Sequence, residues 1–474
     1  MKTNLVAGLL CCCFSLSGQI ATTFITEFAV SSPAVPQAIA PDKIGKPYFY
    51  LAAKAGGLRV YDVQDFSQPV LVKTIPIAQL NGLEVMNASQ RGNLLYLALG
   101  NFFGNNGQKP GLAILDVNDP ANPVVKDVWE WDMVDRGSAS VTLSGDYAYL
   151  AAMSQGLIIL NVFNPDSIQF VSQIIPDPDF PVPNPPAAQV PNARGLALKG
   201  DVAFLCYDAG GLRVINVADK SHPVETGRYI NPTPFVPAGK QQAFNNILLD
   251  GDTAFVAVDY CGMEVLDISD TANIQQKAWW NPWQCQSITN AWLGSPGHTN
   301  QLQLDTANHL VFLASAQSEL SILDISDPNQ PILAGGYGST DNQLGTWGMA
   351  LDGNRVYLVY IIAVFPFVSN WAGVKLLEWS QPSGVGEPDL LKIGNPYPNP
   401  FEYSIGLDIE SDASTEWRVQ MLDAQGRVVA QQDGQRLIPG SQHLQMDFST
   451  LPTGIYQLMF ISSSGVRHWS IVKG

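Results

Sequence analysis

A six-residue phrase returns seven times along this chain and constrains its fold more than any other feature. The copies begin every 45 to 57 residues, and each is apolar at its first, third, fourth and sixth positions. A supersecondary unit repeated at such a period indicates a propeller, a solenoid or an array. The copies are LRVYDV (Leu58–Val63), LAILDV (Leu112–Val117), LIILNV (Leu157–Val162), LRVINV (Leu212–Val217), MEVLDI (Met263–Ile268), LSILDI (Leu320–Ile325) and VKLLEW (Val374–Trp379).

The fourth copy shows how one repeat folds. Gly195–Leu198, Val202–Cys206, Leu212–Val217 and Val224–Tyr229 are short apolar runs separated by Gly, Asp and Pro. Such runs bounded by turn formers predict strands, and four antiparallel strands form one propeller blade. The helical period of 3.6 is absent, which disfavours a helical solenoid. The sequence therefore predicts an all-β fold with a seven-bladed β-propeller.

The seventh copy ends after its third strand, because Val374–Trp379 is followed directly by Gln381-Pro382-Ser383-Gly384. A blade without its outer strand would leave an exposed sheet edge, which favours aggregation. The segment Thr23–Val30 precedes blade one and has strand character. We therefore predict that this N-terminal segment supplies the missing strand and closes the ring.

The repeats resemble the LVIVD-repeat family of bacterial surface propellers. The resemblance rests on the phrase GL-x-(I/V)-(L/Y/I)-(D/N)-V followed by D-x-x-x-P, and it covers roughly Gln37 to Ser380. It implies a propeller in an exported protein, and it transfers no catalytic residue. The Asp residues of the last turn in each blade are interpreted as turn caps, with a structural calcium ion as the alternative.

Composition restricts the compartment and the partners. Lys2 precedes an uncharged apolar stretch, Leu5–Leu16, which small residues follow, and this pattern predicts an export signal at residues 1–21. No later stretch is long and apolar enough to predict a membrane span. The net charge is −17, from 42 acidic and 25 basic residues, so we expect no nucleic-acid partner.

The loops differ between the two faces of the predicted propeller. Blade-to-blade links and second-to-third loops emerge on one face, named here the decorated face because almost every long insertion falls there. The opposite, plain face has tight turns. Long loops on a rigid scaffold commonly bind partners. The aromatic residues of the decorated loops are Phe102, Phe103, Trp129, Trp131, Phe235, Trp280, Trp283, Trp292, Phe365, Phe367 and Trp371.

These aromatic residues have two interpretations. An exposed set would suit sugar stacking or a protein partner, whereas a packed set would hold the loops on the propeller. We expect several to be exposed, and we select Trp283, Trp292 and Trp371 as candidate ligand-binding residues. A second candidate is a ring at the mouth of the central channel, which would bind a small polar or anionic ligand or would only be hydrated. Its predicted members are Asn81, Ala139, Arg194, Asn245, Asn300 and Trp347.

Little in the sequence indicates an enzyme or a cofactor. His298 lies in a decorated loop, whereas His222 and His309 lie in plain-face turns, so a catalytic triad or a His-rich metal site is not expected. Cys261 and Cys285 lie on the decorated face and could form a disulfide, with Cys206 as a buried thiol. Five carboxylates of the decorated face could include a hydrolytic pair or only solvate the surface. They are Glu130, Asp132, Asp135, Asp208 and Asp259.

The C-terminal segment is predicted to form a small β-sandwich after a linker at residues 383–391. It contains NPYPNPF at Asn395–Phe401, LPTGIYQL at Leu451–Leu458 and SIVKG at Ser470–Gly474. This segment resembles the type A C-terminal sorting domain of the type IX secretion system. The resemblance implies a sorting role for motif residues Asn395, Pro396, Pro398, Asn399, Pro400, Phe401, Gly454 and Tyr456. It also implies export by a Gram-negative bacterium and contact with the secretion machinery, followed by surface anchoring or release.

The sequence as a whole predicts a monomeric propeller at residues 22–382 and a sorting domain at residues 392–474. The preferred function is a secreted or cell-surface module that binds a protein or a glycan. One alternative is an extracellular hydrolase that acts on polysaccharide or peptide through carboxylates of the decorated face. A second alternative is a structural surface protein. No cofactor is expected.

Overall fold

The structure is a computed structural model, and its residues group into two compact units, Met1–Pro382 and Ser383–Gly474. The residues described are 20–102, 108–185, 190–233, 243–259, 261–285, 297–363, 368–381, 391–411, 414, 417–423, 428–434, 436–462 and 465–474. Within these residues, no helix is long and apolar enough to cross a membrane.

The first unit consists of seven four-stranded antiparallel sheets, and its first strand is β1 (Ala21–Ala29). Blade one contains β2 (Ala38–Pro41), β3 (Tyr48–Ala52), β4 (Leu58–Asp62) and β5 (Val70–Ile75). Blade two contains β6 (Val85–Arg91), β7 (Leu94–Leu99), β8 (Gly111–Asp116) and β9 (Val124–Glu130). Blade three contains β10 (Ser140–Ser144), β11 (Tyr147–Ala151), β12 (Leu157–Asn161) and β13 (Gln169–Ile174).

The remaining blades follow the same order along the chain. Blade four contains β14 (Gly195–Lys199), β15 (Val202–Cys206), β16 (Leu212–Asn216) and β17 (Val224–Tyr229). Blade five contains β18 (Phe244–Asp250), β19 (Thr253–Val258), β20 (Gly262–Asp267) and β21 (Gln275–Trp280). Blade six contains β22 (Gln301–Asp305), β23 (Leu310–Ala314), β24 (Leu320–Asp324) and β25 (Ile332–Tyr337). Blade seven contains β26 (Thr346–Asp352), β27 (Arg355–Tyr360) and β28 (Gly373–Ser380), with β1 at its edge.

The first strand of each blade packs against the first strand of the next blade, and β26 returns to β2. This closed ring confirms the seven-bladed propeller. The middle strands are covered on both sides by neighbouring blades, so they are continuous apolar runs rather than alternating ones. In β12, for example, Leu157, Ile158, Ile159 and Leu160 are all buried. The repeated phrase is thus the third strand of each blade.

The predicted closure by the N-terminal segment is confirmed. Strand β1 pairs antiparallel with β28, from Ala21 opposite Ser380 to Ala29 opposite Gly373. Blade seven therefore takes its outer strand from the N-terminal end of the propeller segment and its other three strands from the C-terminal end. The observed strand begins two residues earlier than the predicted segment.

Turn chemistry at the plain face explains the short connections. Gly145, Gly200 and Gly353 have φ values of 53°, 57° and 57°, a left-handed conformation that glycine adopts without strain. In the third-to-fourth turns, Asp119 and Asp327 accept hydrogen bonds from the backbone N–H groups two residues later, at 3.2 and 3.0 Å. These carboxylates act as turn caps.

The second unit is a β-sandwich of two antiparallel sheets. One sheet has the order β29 (Leu391–Ile393), β30 (Ser404–Ser411) and β33 (Gly440–Asp447). The other has the order β32 (Val428–Asp433), β31 (Trp417–Leu422), β34 (Gly454–Ser462) and β35 (Gly465–Lys473). Leu391 pairs with Ser411, so the sandwich includes a residue that was predicted to end the linker. Short 3-10 helices cover Ile77–Gln79 and Thr340–Asn342 in the first unit.

Candidate functional site

The seven-membered ring at the channel mouth is formed by one residue from the start of each first strand. Together these residues line a cavity of about 30 Å³ on the decorated face. That volume admits about one or two water-sized groups. The ring is formed by Gln37, Met86, Ala139, Arg194, Asn245, Asn300 and Trp347.

Asn81 is not part of this ring, which corrects the prediction for blade two. Asn81 is exposed with φ +55°, in a turn that follows a 3-10 helix. Strand β6 begins only at Val85, and Met86 is the bulged residue between the paired residues Val85 and Asn87. The prediction was wrong because Gly82 belongs to the turn, whereas the corresponding Gly195 of blade four belongs to its strand.

The two asparagines of the ring connect neighbouring blades. Asn245 Nδ2 donates to the carbonyl oxygen of Thr299 at 3.2 Å, and Asn300 Nδ2 donates to that of Trp347 at 2.6 Å. Asn245 is only 4% exposed. Its Oδ1 atom has no hydrogen-bond partner among the described residues. The amide groups are therefore mainly structural.

Arg194 lies between two aromatic rings at the mouth. Its guanidinium carbon is 5.0 Å from the Phe102 ring centroid and 6.0 Å from that of Trp347. Arg194 also donates to Asn300 Oδ1 at 3.5 Å. Phe102 and Trp347 belong to a buried apolar cluster with Met153 and other residues. Phe102, Trp347 and Met86 therefore make part of the cavity lining apolar.

A group of titratable side chains lies next to the ring residues Trp347 and Arg194. His298 is buried and its Nδ1 atom contacts Asp259 Oδ1, while its ring stacks on Trp347 with the ring centroids 5.6 Å apart. Burial raises the pKa of Asp208 to about 6, with Asp259 adding to the rise and Arg194 opposing it. Asp208 and Asp259, two of the predicted carboxylates, are thus electrostatically coupled. Within the described residues, no group of three or more His, Cys, Asp and Glu side chains is arranged to hold a metal ion.

In three blades, the second residue of the repeated phrase holds a decorated link. It is charged in four blades and uncharged in three, and the charged members of blades four, five and seven are at most 5% exposed. A buried charge must find partners within the protein. The residues in chain order are Arg59, Ala113, Ile158, Arg213, Glu264, Ser321 and Lys375.

Arg213 anchors the link between blades three and four. Its Nη1 atom pairs with Glu225 Oε1 at 2.9 Å. Its Nη2 atom donates to the carbonyl oxygens of Asp177 and Phe180 at 2.9 and 2.8 Å. The guanidinium carbon is also 5.0 Å from the Phe180 ring centroid. The several donors of one guanidinium therefore fix this long link to a strand.

Glu264 anchors the start of the link between blades four and five. Its carboxylate accepts hydrogen bonds from Tyr229 Oη at 2.6 Å, Asn231 Nδ2 at 2.8 Å and Gln276 Nε2 at 3.0 Å. Burial raises the pKa of Glu264 to about 7, and the three hydrogen bonds oppose that rise. This anchor is therefore a buried carboxyl group that titrates near neutral pH.

Lys375 anchors the connection between blades six and seven. Its Nζ atom is 3.1 Å from Glu319 Oε2 and 4.9 Å from the Tyr360 ring centroid. Glu319 Oε1 accepts a hydrogen bond from Asn342 Nδ2 at 2.7 Å, and Asn342 belongs to the link that enters blade seven. The Trp371 ring lies 6.0 Å from Lys375 Nζ and against Tyr360. Trp371 therefore packs over this ion pair.

The six aromatic residues of the decorated loops that the structure describes are buried or partly buried and pack against the propeller. Phe102 is buried, and Trp283 is partly buried and packs edge-on against Trp280 at 5.1 Å. Trp129 and Trp131 are partly buried and contact Phe170 on β13. When a large aromatic ring of a link packs on a strand, apolar contacts between the two stabilise the folded position of the link. Phe103, Phe235, Trp292, Phe365 and Phe367 lie outside the described residues.

A disulfide joins Cys261 to Cys285, with a Cα–Cα distance of 5.5 Å. Trp279 Nε1 donates to the carbonyl oxygen of Cys261 at 2.8 Å. The disulfide therefore holds the start of the link that leaves blade five. Cys206 is a buried free thiol.

In the second unit, the NPYPNPF motif contacts the last strand. Asn399 Oδ1 accepts from the Val472 N–H group at 2.8 Å, and Asn399 Nδ2 donates to the carbonyl oxygen of Ser470 at 3.1 Å. The Phe401 N–H group donates to the carbonyl oxygen of Val472 at 2.9 Å. Lys473 Nζ is 5.2 Å from the Phe401 ring centroid. The NPYPNPF and SIVKG motifs, about 70 residues apart in sequence, are thus in direct contact.

The remaining residues of the predicted sorting motif differ in their contacts and exposure. Gly454 pairs with Lys473 across β34 and β35. Tyr456 Oη donates to the carbonyl oxygen of Pro452 at 2.8 Å. Pro396 is buried, whereas Asn395, Pro398 and Pro400 are exposed.

Fold and sites together define a seven-bladed propeller protein with a separate sandwich domain. The LVIVD repeat model matches residues 91–129, 135–174, 192–231, 243–278 and 310–339, and the secretion system C-terminal sorting domain model matches residues 395–473. The chain is therefore an LVIVD-repeat propeller protein with a type IX sorting domain. That domain marks it for the cell surface or the extracellular space, and it implies interaction with the secretion machinery.

Solved structures support the fold alone. The WD40 repeats of RRP9 match with a TM-score of 0.51 and 11% identity, covering 77% of this chain and 99% of that one. Raptor of Chaetomium thermophilum matches with a TM-score of 0.53 and 9% identity, covering 77% of this chain and 29% of that one. No curated protein matches the sequence of this chain.

Proposed function

We propose that the propeller is a binding module and that its decorated face contacts a protein or glycan partner after export. The observation that carries the proposal is the anchoring of the decorated links by buried charges and a disulfide. Arg213, Glu264, the pair Lys375–Glu319 and the disulfide Cys261–Cys285 each hold such a link. Loops ordered before binding lose less conformational entropy when a partner arrives.

Exposed side chains on the decorated face favour a protein partner over a glycan. Met133 and Val134 in the link after blade two are 58% and 55% exposed. Ile362 and Val368 in the last second-to-third loop are 64% and 54% exposed. Exposed apolar groups on loops suit a protein interface. The described aromatic rings of the decorated loops are at least partly buried, which leaves less ring surface for sugar stacking.

The channel mouth has a narrower role in this proposal. A cavity of about 30 Å³ holds a water molecule or the tip of one side chain, and not a sugar ring. Arg194, Asn245 and Asn300 would then contact only a small polar group of the partner. Replacing Arg194 and Asn245 with Ala should weaken a partner that inserts such a group, and unchanged affinity would remove the mouth from the interface.

Peptide and glycan arrays probed with the purified full chain test the proposal. We expect reproducible binding of some peptides or proteins, and we expect these ligands to compete with one another because they bind the same decorated face. An array without hits would instead support the structural surface protein. The circumference also exposes apolar residues, among them Val224 at 56%, so Val224→Ser provides a test of that competing surface.

One observation favours a hydrolase as the second candidate function. Burial, with Asp259 nearby, raises the pKa of Asp208 to about 6, and a carboxyl group with a raised pKa can act as a general acid. Turnover of any array hit would be measured with the native chain and with Asp208→Asn. Turnover that is lost in Asp208→Asn while binding persists would establish hydrolysis. Binding without turnover would support the module alone.

A further inference from the structure

Ile20, at the predicted boundary of the export signal, is an integral part of the propeller. Its N–H group donates to the carbonyl oxygen of Ala334 at 2.7 Å, and it forms a parallel bridge with Gly335 of β25. Its side chain is 7% exposed and packs with Phe312 and Trp379. Ala21 and Thr22 then pair with Ser380 and Trp379. Removal of residues 1–21 would therefore delete two residues that the sheet uses.

The sequence of β25 provides space for Ile20. A Cβ atom added at Gly335 would lie 2.6 Å from the Ile20 carbonyl oxygen, closer than real side chains allow. Thr22 Oγ1 donates to the carbonyl oxygen of the next residue, Gly336, at 2.6 Å. Ile20 can therefore pack against β25 only because residue 335 is a glycine. This packing indicates that Ile20 belongs to the exported chain.

We propose that the export signal is cleaved between Ser17 and Gly18 rather than after Ala21. Signal cleavage requires small residues at the last and third-last positions of the leader. Ser17 and Ser15 meet this requirement, whereas cleavage after Ala21 would place Gln19 at the third-last position. A leader peptidase would hydrolyse the Ser17–Gly18 peptide bond with one water molecule. The products are a carboxylate on Ser17 and a free amine on Gly18.

The direct test is the N-terminal sequence and intact mass of the chain exported from a Gram-negative host with its own leader. We expect a chain that begins at Gly18. Ser17→Ala should be cleaved at the same bond, whereas Ser17→Leu should leave precursor or shift the cleavage. A start at Thr22 or later, or an uncleaved chain, would overturn the proposal.

A second measurement tests the structural premise without any leader. Chains that begin at Gly18 and at Thr22 would be produced, each with and without Gly335→Ala. We expect the chain from Thr22 to melt about 3 °C or more below the chain from Gly18. Gly335→Ala should lower the melting temperature only where Ile20 is present. Equal melting temperatures for the two starts, or an equal effect of Gly335→Ala in both, would remove the basis of the proposal.

Discussion

Lys375 Nζ lies 3.1 Å from Glu319 Oε2, and both side chains are almost completely buried between the last two blades. Removing one partner of a buried pair leaves the other charge uncompensated, which costs about 3–5 kcal/mol. We therefore expect Glu319→Gln to lower the free energy of unfolding by about 3 kcal/mol. The double variant Glu319→Gln/Lys375→Met removes both charges and should recover part of this loss. Denaturant unfolding of the propeller measures both, and wild-type stability in Glu319→Gln would contradict the assignment.

Glu264 should make stability depend on pH. Its pKa is about 7 in the folded chain against an ordinary 4.5, because burial disfavours the charged form. Between these values the folded chain binds a proton that the unfolded chain has released, so the stability from this group falls as pH rises through the window. The steepest loss is about 1.4 kcal/mol per pH unit.

The matched variant for this prediction is Glu264→Gln, which has no charge to bury. Melting curves recorded from pH 5 to pH 8 should show a smaller loss of stability in Glu264→Gln than in the native chain. Asp208 shifts stability in the same direction, but it is present in both proteins and cancels from the comparison. Parallel pH profiles for the two proteins would be inconsistent with a raised pKa at Glu264.

The disulfide between Cys261 and Cys285 should stabilise the propeller by restricting its unfolded chain. The two cysteines are 24 residues apart, and a loop of that size corresponds to about 3 kcal/mol. The double variant Cys261→Ser/Cys285→Ser should therefore unfold at a lower denaturant concentration, with the native chain under reducing conditions as its counterpart. Thiol titration of the denatured, unreduced exported chain should find one reactive group, Cys206, and three would show that the disulfide does not form.

Asn399 should be important for the sorting domain because its side chain holds the last strand through two hydrogen bonds. Asn399 is exposed, so replacing it with Ala should destabilise the sandwich by about 1 kcal/mol and reduce the amount of protein delivered to the cell surface. Asn395→Ala, at an exposed position in the same motif, serves as the control. Surface labelling of intact cells measures delivery. Equal delivery of the two variants would show that the contact of Asn399 with the last strand is not needed for sorting.

Sequence reasoning could predict the scaffold because the repeated phrase specifies a buried strand wherever it occurs. It also found the N-terminal closing strand, since an incomplete last blade requires a partner elsewhere. It failed at Asn81, where a glycine in a turn resembled a glycine in a strand. The packing of Trp371 could not be predicted either, because it depends on Lys375 and Tyr360 from two strands of the blade. The long links have no periodic apolar pattern that would indicate which part of the propeller they pack against.

The sequence shows charged residues at the second position of the repeated phrase, but it does not show that they hold the links. Arg213, Glu264 and Lys375 stand where other copies have Ala, Ile or Ser. A charge among apolar residues of a buried strand indicates an internal partner. Their partners, such as Asn231 and Asn342, lie in links whose course only the structure gives.

The measurement that tests the central claim most directly compares binding by variants of the two faces. Met133→Ser and Ile362→Ser alter exposed residues of the decorated face, and Phe163→Ser alters a still more exposed residue, at 75%, in a plain-face turn. The affinity of each full-length variant for an array-identified protein or peptide would be measured by surface-immobilised binding. The account predicts affinity about tenfold or more weaker for the first two variants, a loss of about 1.4 kcal/mol, and unchanged affinity for Phe163→Ser. Weaker binding by Phe163→Ser alone would contradict it.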